Sequence, residues 1–227
     1  ANGNKNPYAH MRTAKRDLEW ASAASDRNPC FLANEELKPY LKISDCSQVS
    51  DGGSAAVLVT EEGLQKLGIS PSQCIELKSW GLVANPLAQV NDYTRLETTG
   101  AAASEAMRDA GISHNDVGVV EVHDCFAVTE WLMLEGMGFA DHGMAKTLTL
   151  DGATHVDGAL PVNTGGGLLA FGHPVGATGV KQVVEIWRQM KGQCGDYQIP
   201  TTPNYGVTAN MGGDDRTAVV TVLENIA

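Results

Sequence analysis

No cysteine pair occurs in this sequence. The five cysteines, Cys30, Cys46, Cys74, Cys125 and Cys194, stand far apart in no CxxC arrangement, which argues against a zinc ribbon or a dithiol redox centre. Their odd number reads as free thiols in a reducing compartment. Basic residues are also scarce: 16 Lys and Arg against 27 Asp and Glu give a formal net charge of -11. That balance excludes a general electrostatic attraction to nucleic acid or an anionic membrane. Long apolar runs are missing as well. Each is cut by Gly, Pro or charge well short of the roughly 20 residues of a membrane helix, so no spanning segment is expected. The chain opens on ANGNKNPYAHMR, with neither an initiator Met nor a signal peptide, and closes on ENIA rather than SKL. It reads as mid-protein sequence, and an N-terminal address would lie outside it.

Enough apolar material is present for a core: 43% hydrophobic against 19% charged residues over 227 positions. A soluble globular chain of one large or two small domains follows. Residues 1–42 mix Asn, Lys, Arg and Pro and read as a surface excursion, with a short helix expected around Asp17 to Ala24. From Cys46 the character changes. The turn SQVSDGGS leads into AAVLVT, expected as a buried strand. Thr60 should then N-cap a short helix ending at Gly68. Beyond it, CIELKSWGLVA, VGVVEVHDCF, a short stretch from Leu160 to Val162, YGVTANM and RTAVVTVLE read as strands. Helices are expected over Thr99 to Asp109, over AVTEWLMLEGMG with an apolar stripe at Val128, Trp131, Leu132 and Leu134, and over TGVKQVVEIWRQMKG. Strands apolar on both faces, alternating with amphipathic helices, predict a layered α/β domain whose sheet is covered on both sides. In such folds ligands gather at the carboxyl ends of strands.

Two strand-to-helix junctions carry unusual chemistry. The first, HDCF, puts His123 and Cys125 at the end of an apolar strand. A thiol beside imidazole can move protons once its pKa is brought toward neutrality. Taken alone, the tetrapeptide fits a buried core thiol beside a structural histidine more readily. The second junction, NTGGGLLAFGHPVGATG, runs from Asn163 to Gly179 and holds His173 between Gly172 and Pro174. Its glycines imply a tightly turning backbone or a close approach to ligand, yet it is neither a GxxxxGK[ST] nor a GxGxxG phosphate loop. A glycine-rich turn with an incidental histidine is the alternative.

The two junctions together are far more specific than either one. HDCF followed by GGLLAFGHPVGATG, with SDGGSAAVLV upstream, resembles the thiolase superfamily, and within it the sterol carrier protein 2 type, in which HDCF replaces NEAF. The resemblance implies a thiolase-type layered α/β/α domain. Its divisions would be a remnant of the loop domain over 1–42, the last strand and helix of the N-terminal thiolase domain over 43–70, and the C-terminal thiolase domain over 71–227. It also implies cleavage of a 3-ketoacyl-CoA by CoA, or the reverse Claisen condensation, on a nucleophilic cysteine carried by an N-terminal half that this sequence does not contain.

By the same resemblance, His173 would activate that cysteine and donate to the thioester oxygen. His123 would complete this oxyanion site, and Cys125 would move the α-proton. Most thiolases carry a CxG motif near the C-terminus. Here Asn210-Met211-Gly212 stands in its place, so Gly212 retains its N–H for the acyl oxyanion while the thiol has moved to HDCF. Ser47 aligns with a serine that contacts the pantetheine arm in some thiolases. No metal or cofactor is implied, since the CoA thioester is the substrate, and His10, His114, His142 and His155 match no catalytic motif. The implied partners are acyl-CoA, CoA, the N-terminal half and further copies in a homodimer or homotetramer, and the implied location is peroxisome or mitochondrion. A CoA-ester-binding protein without turnover is the alternative, separated from the enzyme by the upstream cysteine.

Overall fold

A computed structural model describes residues 1–11, 21–30, 35–37, 39–88 and 92–226. The expected helix at 17–24 falls largely outside the described residues, although Ala21 and Ser22 are helical. Thr60 accepts a hydrogen bond from the Gly63 N–H (3.2 Å) and caps α1 (Glu61–Leu67), which Gly68 ends in a left-handed conformation, as the capping pattern predicts. The AAVLVT segment before it differs from expectation. It joins no ladder among the described residues, and Val57 and Leu58 are 84% and 82% exposed. A strand needs a neighbour for its backbone N–H and C=O groups, and no described segment takes that place.

Strand β1 (Ile75–Ala84) is followed by α2 (Glu97–Ala110), β2 (Val117–Val122), α3 (Ala127–Gly136), α4 (Ala145–Leu150), α5 (Gly167–Phe171), α6 (Thr178–Met190), β3 (Tyr205–Gly212) and β4 (Thr217–Asn225). The sheet order is β1-β4-β3-β2, with β2 and β3 parallel and the other two pairings antiparallel. Val162 adds a parallel bridge to Val120 at the outer edge. Helix α2 lies on one face, against β1 and β4, and α6 lies on the other, against β2 and β3. The expected α/β architecture with helices on both faces of the sheet therefore holds, with one face of β1 left open.

The α2 face is the apolar one. Val120, Val122, Val207, Ala209, Val220 and Val222 meet Ala102, Ala103 and Ala106 of α2 in the main core. These small helix residues let the backbones approach closely, and a Cβ at Gly81 of β1 would strike the Ala102 carbonyl. The β3–β4 turn bends through three left-handed residues, Gly213, Asp214 and Asp215. It delivers the buried Asp215 carboxylate to the start of α2, where it accepts from the Thr98 N–H (2.8 Å), the Thr99 N–H (3.0 Å) and the Thr99 hydroxyl (2.6 Å). An acidic group at a helix N-terminus satisfies orphan donors and suits the dipole.

The α6 face departs from the expected pattern. Alternation along β2 and β3 places Glu121, His123, Thr208 and Asn210 beneath α6, and the apolar cluster there is small: Val119, Val156, Ile186, Met190, Ile199 and Leu223. Helix α3 is also rotated: Thr129, Met133 and Leu134 are buried, whereas Val128 and Trp131 are partly exposed, the latter bonded through its indole N–H to Thr149. Lys181 lies 3.5 Å from Glu121 and 3.4 Å from Glu185. With one ammonium shared between two buried carboxylates, burial pushes Glu121 up to about 7. The fold then binds a proton that the unfolded chain releases near pH 4.5, so this group's stabilising contribution is complete below pH 4.5 and is lost as pH rises to about 7. Glu121→Gln is expected to remove that decline; denaturant midpoints at pH 5, 6, 7 and 8 would check it, a parallel pair of profiles being the contrary result.

Candidate active site

The carboxyl ends of β2 and β3 and the start of α6 converge where both sequence junctions end. Asn163, at left-handed φ, donates from its side chain to Glu130 (3.0 Å) and accepts the Val122 N–H (2.9 Å). This pairing fixes the strand end from which His123 projects. The segment around Ser47 threads between the junctions: the Ser47 N–H donates to the Cys125 carbonyl (2.8 Å), and the His173 N–H donates to the Gln48 carbonyl (3.0 Å). Two pieces of chain fifty residues apart are thus stitched together by a third.

His123 and His173 end up ring to ring, with centroids 5.0 Å apart and planes nearly perpendicular at 86°. Both are buried. Burial, and then the charge of the neighbouring His173, hold His123 down at about 4, and burial also lowers His173. Each imidazole is therefore neutral at neutral pH and offers one donor and one acceptor nitrogen. His173 Nδ1 lies 2.7 Å from the Thr178 hydroxyl, which itself donates to the Pro174 carbonyl at 3.1 Å. Because that hydroxyl proton is committed, the proton between the two side chains belongs to Nδ1, and Nε2 carries the lone pair. A neutral imidazole so fixed is a base at Nε2.

Cys125 follows two residues after His123, half-buried, with Sγ 3.9 Å from the Thr129 hydroxyl. Burial pushes its thiol up, away from neutrality. Burial disfavours a thiolate, which leaves Cys125 a proton donor at rest. Gly212 closes β3 at the same edge of the sheet, two residues past Asn210, and pairs with Thr217.

Three features were not anticipated from the sequence. Thr178 is the first. Asp124 is the second: its buried carboxylate accepts from the Leu168 N–H at 2.6 Å and the Leu169 N–H at 3.4 Å, tying HDCF to the helix that leads into His173. A Cβ at Gly167 would collide with that carboxylate, so the glycine run is a packing requirement at this point. The third is the N-terminal segment, which is no loose excursion. Asn6 is wholly buried and donates to the Gly165 carbonyl (2.9 Å), while Asn2 donates to the carbonyls of Val162 (2.8 Å) and Thr154 (3.0 Å). Their signal in the sequence was the asparagines of NGNKN, each a side-chain mimic of the backbone. Among the described residues no group of three or more His, Cys, Asp and Glu side chains is placed to hold a metal ion, and no helix is long and apolar enough to cross a membrane.

Comparison with known proteins agrees with this arrangement. The thiolase C-terminal domain-like family matches residues 82–225. An acetyl-CoA acetyltransferase of Methanothermobacter thermautotrophicus is 36% identical over 185 residues, covering 81% of this chain and 47% of that protein. Human sterol carrier protein 2 is 32% identical over 174 residues, covering 74% of this chain and 32% of that protein. The benzoylsuccinyl-CoA thiolase subunit BbsB of Thauera aromatica is 34% identical over 178 residues, covering 78% and 46%. A solved structure, the Ltp2-ChsH2(DUF35) aldolase, shares the fold with a TM-score of 0.73 at 20% identity, over 99% of this chain and 55% of that one. The chain spans about a third to a half of the length of the curated relatives it matches. It belongs to the thiolase family.

Proposed function

We propose that this chain supplies the acid/base and oxyanion-binding half of an acyl-CoA thiolase, acting with an N-terminal half that carries the nucleophilic cysteine. The observation that carries the reading is the perpendicular pair His123 and His173, with the proton of His173 held at Nδ1 by Thr178. In the cleavage direction, His173 Nε2 takes the proton of the nucleophilic thiol. The thiolate attacks the 3-keto carbon of the substrate, and the C2–C3 bond breaks with its electron pair moving onto C2. Donors from His173 and His123 stabilise the enolate-like thioester oxygen. Cys125 gives its proton to C2, and acetyl-CoA leaves. The thiol of an incoming CoA returns a proton to Cys125 and attacks the acyl-enzyme. The released cysteine thiolate recovers its proton from His173. Gly212 would offer its N–H to the acyl oxyanion, and Ser47, between the two junctions, stands where a pantetheine arm could pass.

A thiol that burial keeps protonated suits this direction, because it begins the C2 step as a donor. The exposed Val57 and Leu58, with Trp80 and Leu82 on the open face of β1, form apolar surface of the kind a partner covers. The N-terminal half is the proposed cover. That one relative is a thiolase subunit, BbsB, is in keeping with a partner polypeptide.

The test is thiolysis of acetoacetyl-CoA by the protein carrying both halves, followed as loss of the ketoester enolate absorbance. Turnover is expected. Acyl-CoA binding without turnover, by a protein shown to have the upstream cysteine, would replace the enzyme by a CoA-ester-binding protein. In that assay Thr178→Val, which keeps the shape but removes the hydrogen-bond partner of Nδ1, should slow enzyme acylation about 3- to 10-fold, the worth of one hydrogen bond. Thr178→Ser should retain the rate, and equal rates for Val and Ser would remove the orienting role.

A further inference from the structure

Asn210 occupies the position where a CxG motif would place its thiol, and its surroundings are more organised than a vacated position requires. Val122 and Ala209 are register partners in the parallel β2–β3 ladder, so the residues that follow them, His123 and Asn210, lie side by side on the α6 face. The Asn210 amide nitrogen donates to the Gln182 side-chain oxygen at 3.1 Å, and the Gln182 amide donates to the Ala209 carbonyl at 3.3 Å. Gln182 is wholly buried. Its own hydrogen bonds therefore decide which way the Asn210 carboxamide points: nitrogen toward Gln182, and oxygen left for the neighbour across the ladder. The carboxamide also lies against Gly179, on the turn of α6 that carries Thr178.

His123 is the group that needs such a neighbour. Its ring is buried beside a second imidazole, and its Nδ1 has no hydrogen-bond partner among the described residues. An isolated neutral imidazole exchanges its proton between two nitrogens, and only one of the two tautomers presents a donor in a given direction. The ladder sets the Asn210 carboxamide beside that ring, and an acceptor oxygen there favours a proton on the nitrogen that faces it.

We propose that Asn210 is a positioning residue, its carboxamide oriented by Gln182, and that it sets the tautomer of His123 as Thr178 sets that of His173. The exchange of thiol for carboxamide at this position then has a structural consequence: the vacated acid/base position becomes the orienter of the second histidine. The proposal deepens the thiolase reading and rests on it only for the effect on turnover.

The experiment uses the full-length protein with ring-15N-labelled histidine, His123 being assigned by comparison with His123→Gln. In the unaltered protein His123 should show two well-separated nitrogen resonances, the signature of one neutral tautomer. Asn210→Ala should draw them toward each other. Should that variant fail to fold, Gln182→Met, which frees the carboxamide without removing it, should do the same to a smaller extent. Asn210→Asp keeps an acceptor oxygen and adds charge, so it should keep the facing nitrogen protonated and move the ring's titration upward. Steady-state kinetics of Asn210→Ala should show kcat reduced about tenfold with KM changed less than about twofold. Unchanged His123 resonances in both Asn210→Ala and Gln182→Met would overturn the proposal. Shifted resonances in a protein that turns over no thioester would uphold the positioning role and refute the thiolase reading instead.

Discussion

Replacing His173 with Ala is expected to reduce thiolysis and condensation by the protein carrying both halves roughly 10²- to 10⁴-fold, the span of a lost general acid/base. The argument rests on where the proton sits. Thr178 spends its own proton on the Pro174 carbonyl and accepts that of His173 Nδ1, so Nε2 is left as a lone pair for a thiol to use. Removal of the ring should abolish formation of the acyl-enzyme as well as overall turnover. Mass spectrometry of the protein after brief exposure to acetyl-CoA would check this: rapid acetylation of His173→Ala at the rate of the unaltered protein would deny the histidine its role. Because His173 ought to act before Cys125, its loss should mask any further effect of changing Cys125, and the double variant should be no slower than His173→Ala alone.

Cys125→Ala should lose turnover by a similar factor, roughly 10²- to 10⁴-fold, but with a different signature. Acyl transfer from acetyl-CoA to the nucleophile involves no α-proton, and the CoA sulfur can exchange its own proton with water where Cys125 is missing, so acetylation and exchange of labelled CoA should persist at a reduced rate. Exchange of the C2 protons of acetyl-CoA into deuterated water should disappear. Burial sets the direction of this test. With its thiol pushed up, Cys125 is a ready donor to the C2 carbanion and a reluctant thiolate, so condensation, which must remove a proton, should suffer at least as much as cleavage. Parallel loss of acetylation and of α-proton exchange would place Cys125 in the packing rather than in the chemistry.

Legibility in the sequence differed between elements for physical reasons. Each of β1, β2, β3 and β4 was readable because a buried strand must be apolar on at least one face, and α2 and α6 because a helix over a sheet repeats its buried residues at helical spacing. The stripe on α3 was misread: Thr129 and Met133 are buried whereas Val128 and Trp131 are partly exposed, and a helix rich in large apolar residues on several sides does not declare which side faces the core. AAVLVT has strand composition but pairs with no segment among the described residues, since pairing is a property of two segments and sequence shows one at a time.

The same distinction governs the site. HDCF and GHPVGATG were visible as motifs because glycine, proline and titratable residues at strand ends are locally unusual. Thr178, Asp124 and Gln182 were not visible. A threonine at the start of a helix, an aspartate after a histidine and a glutamine within a helix have ordinary local explanations, and their partners lie 5, 44 and 28 residues away. The sequence by itself determined the family and singled out the candidate reactive side chains, through local patterns that few other folds require. Only the tertiary structure decided the tautomer of His173, the resting protonation of Cys125 and the polar face beneath α6. Each depends on burial and on hydrogen bonds closed between distant segments, which exist only once the chain is folded.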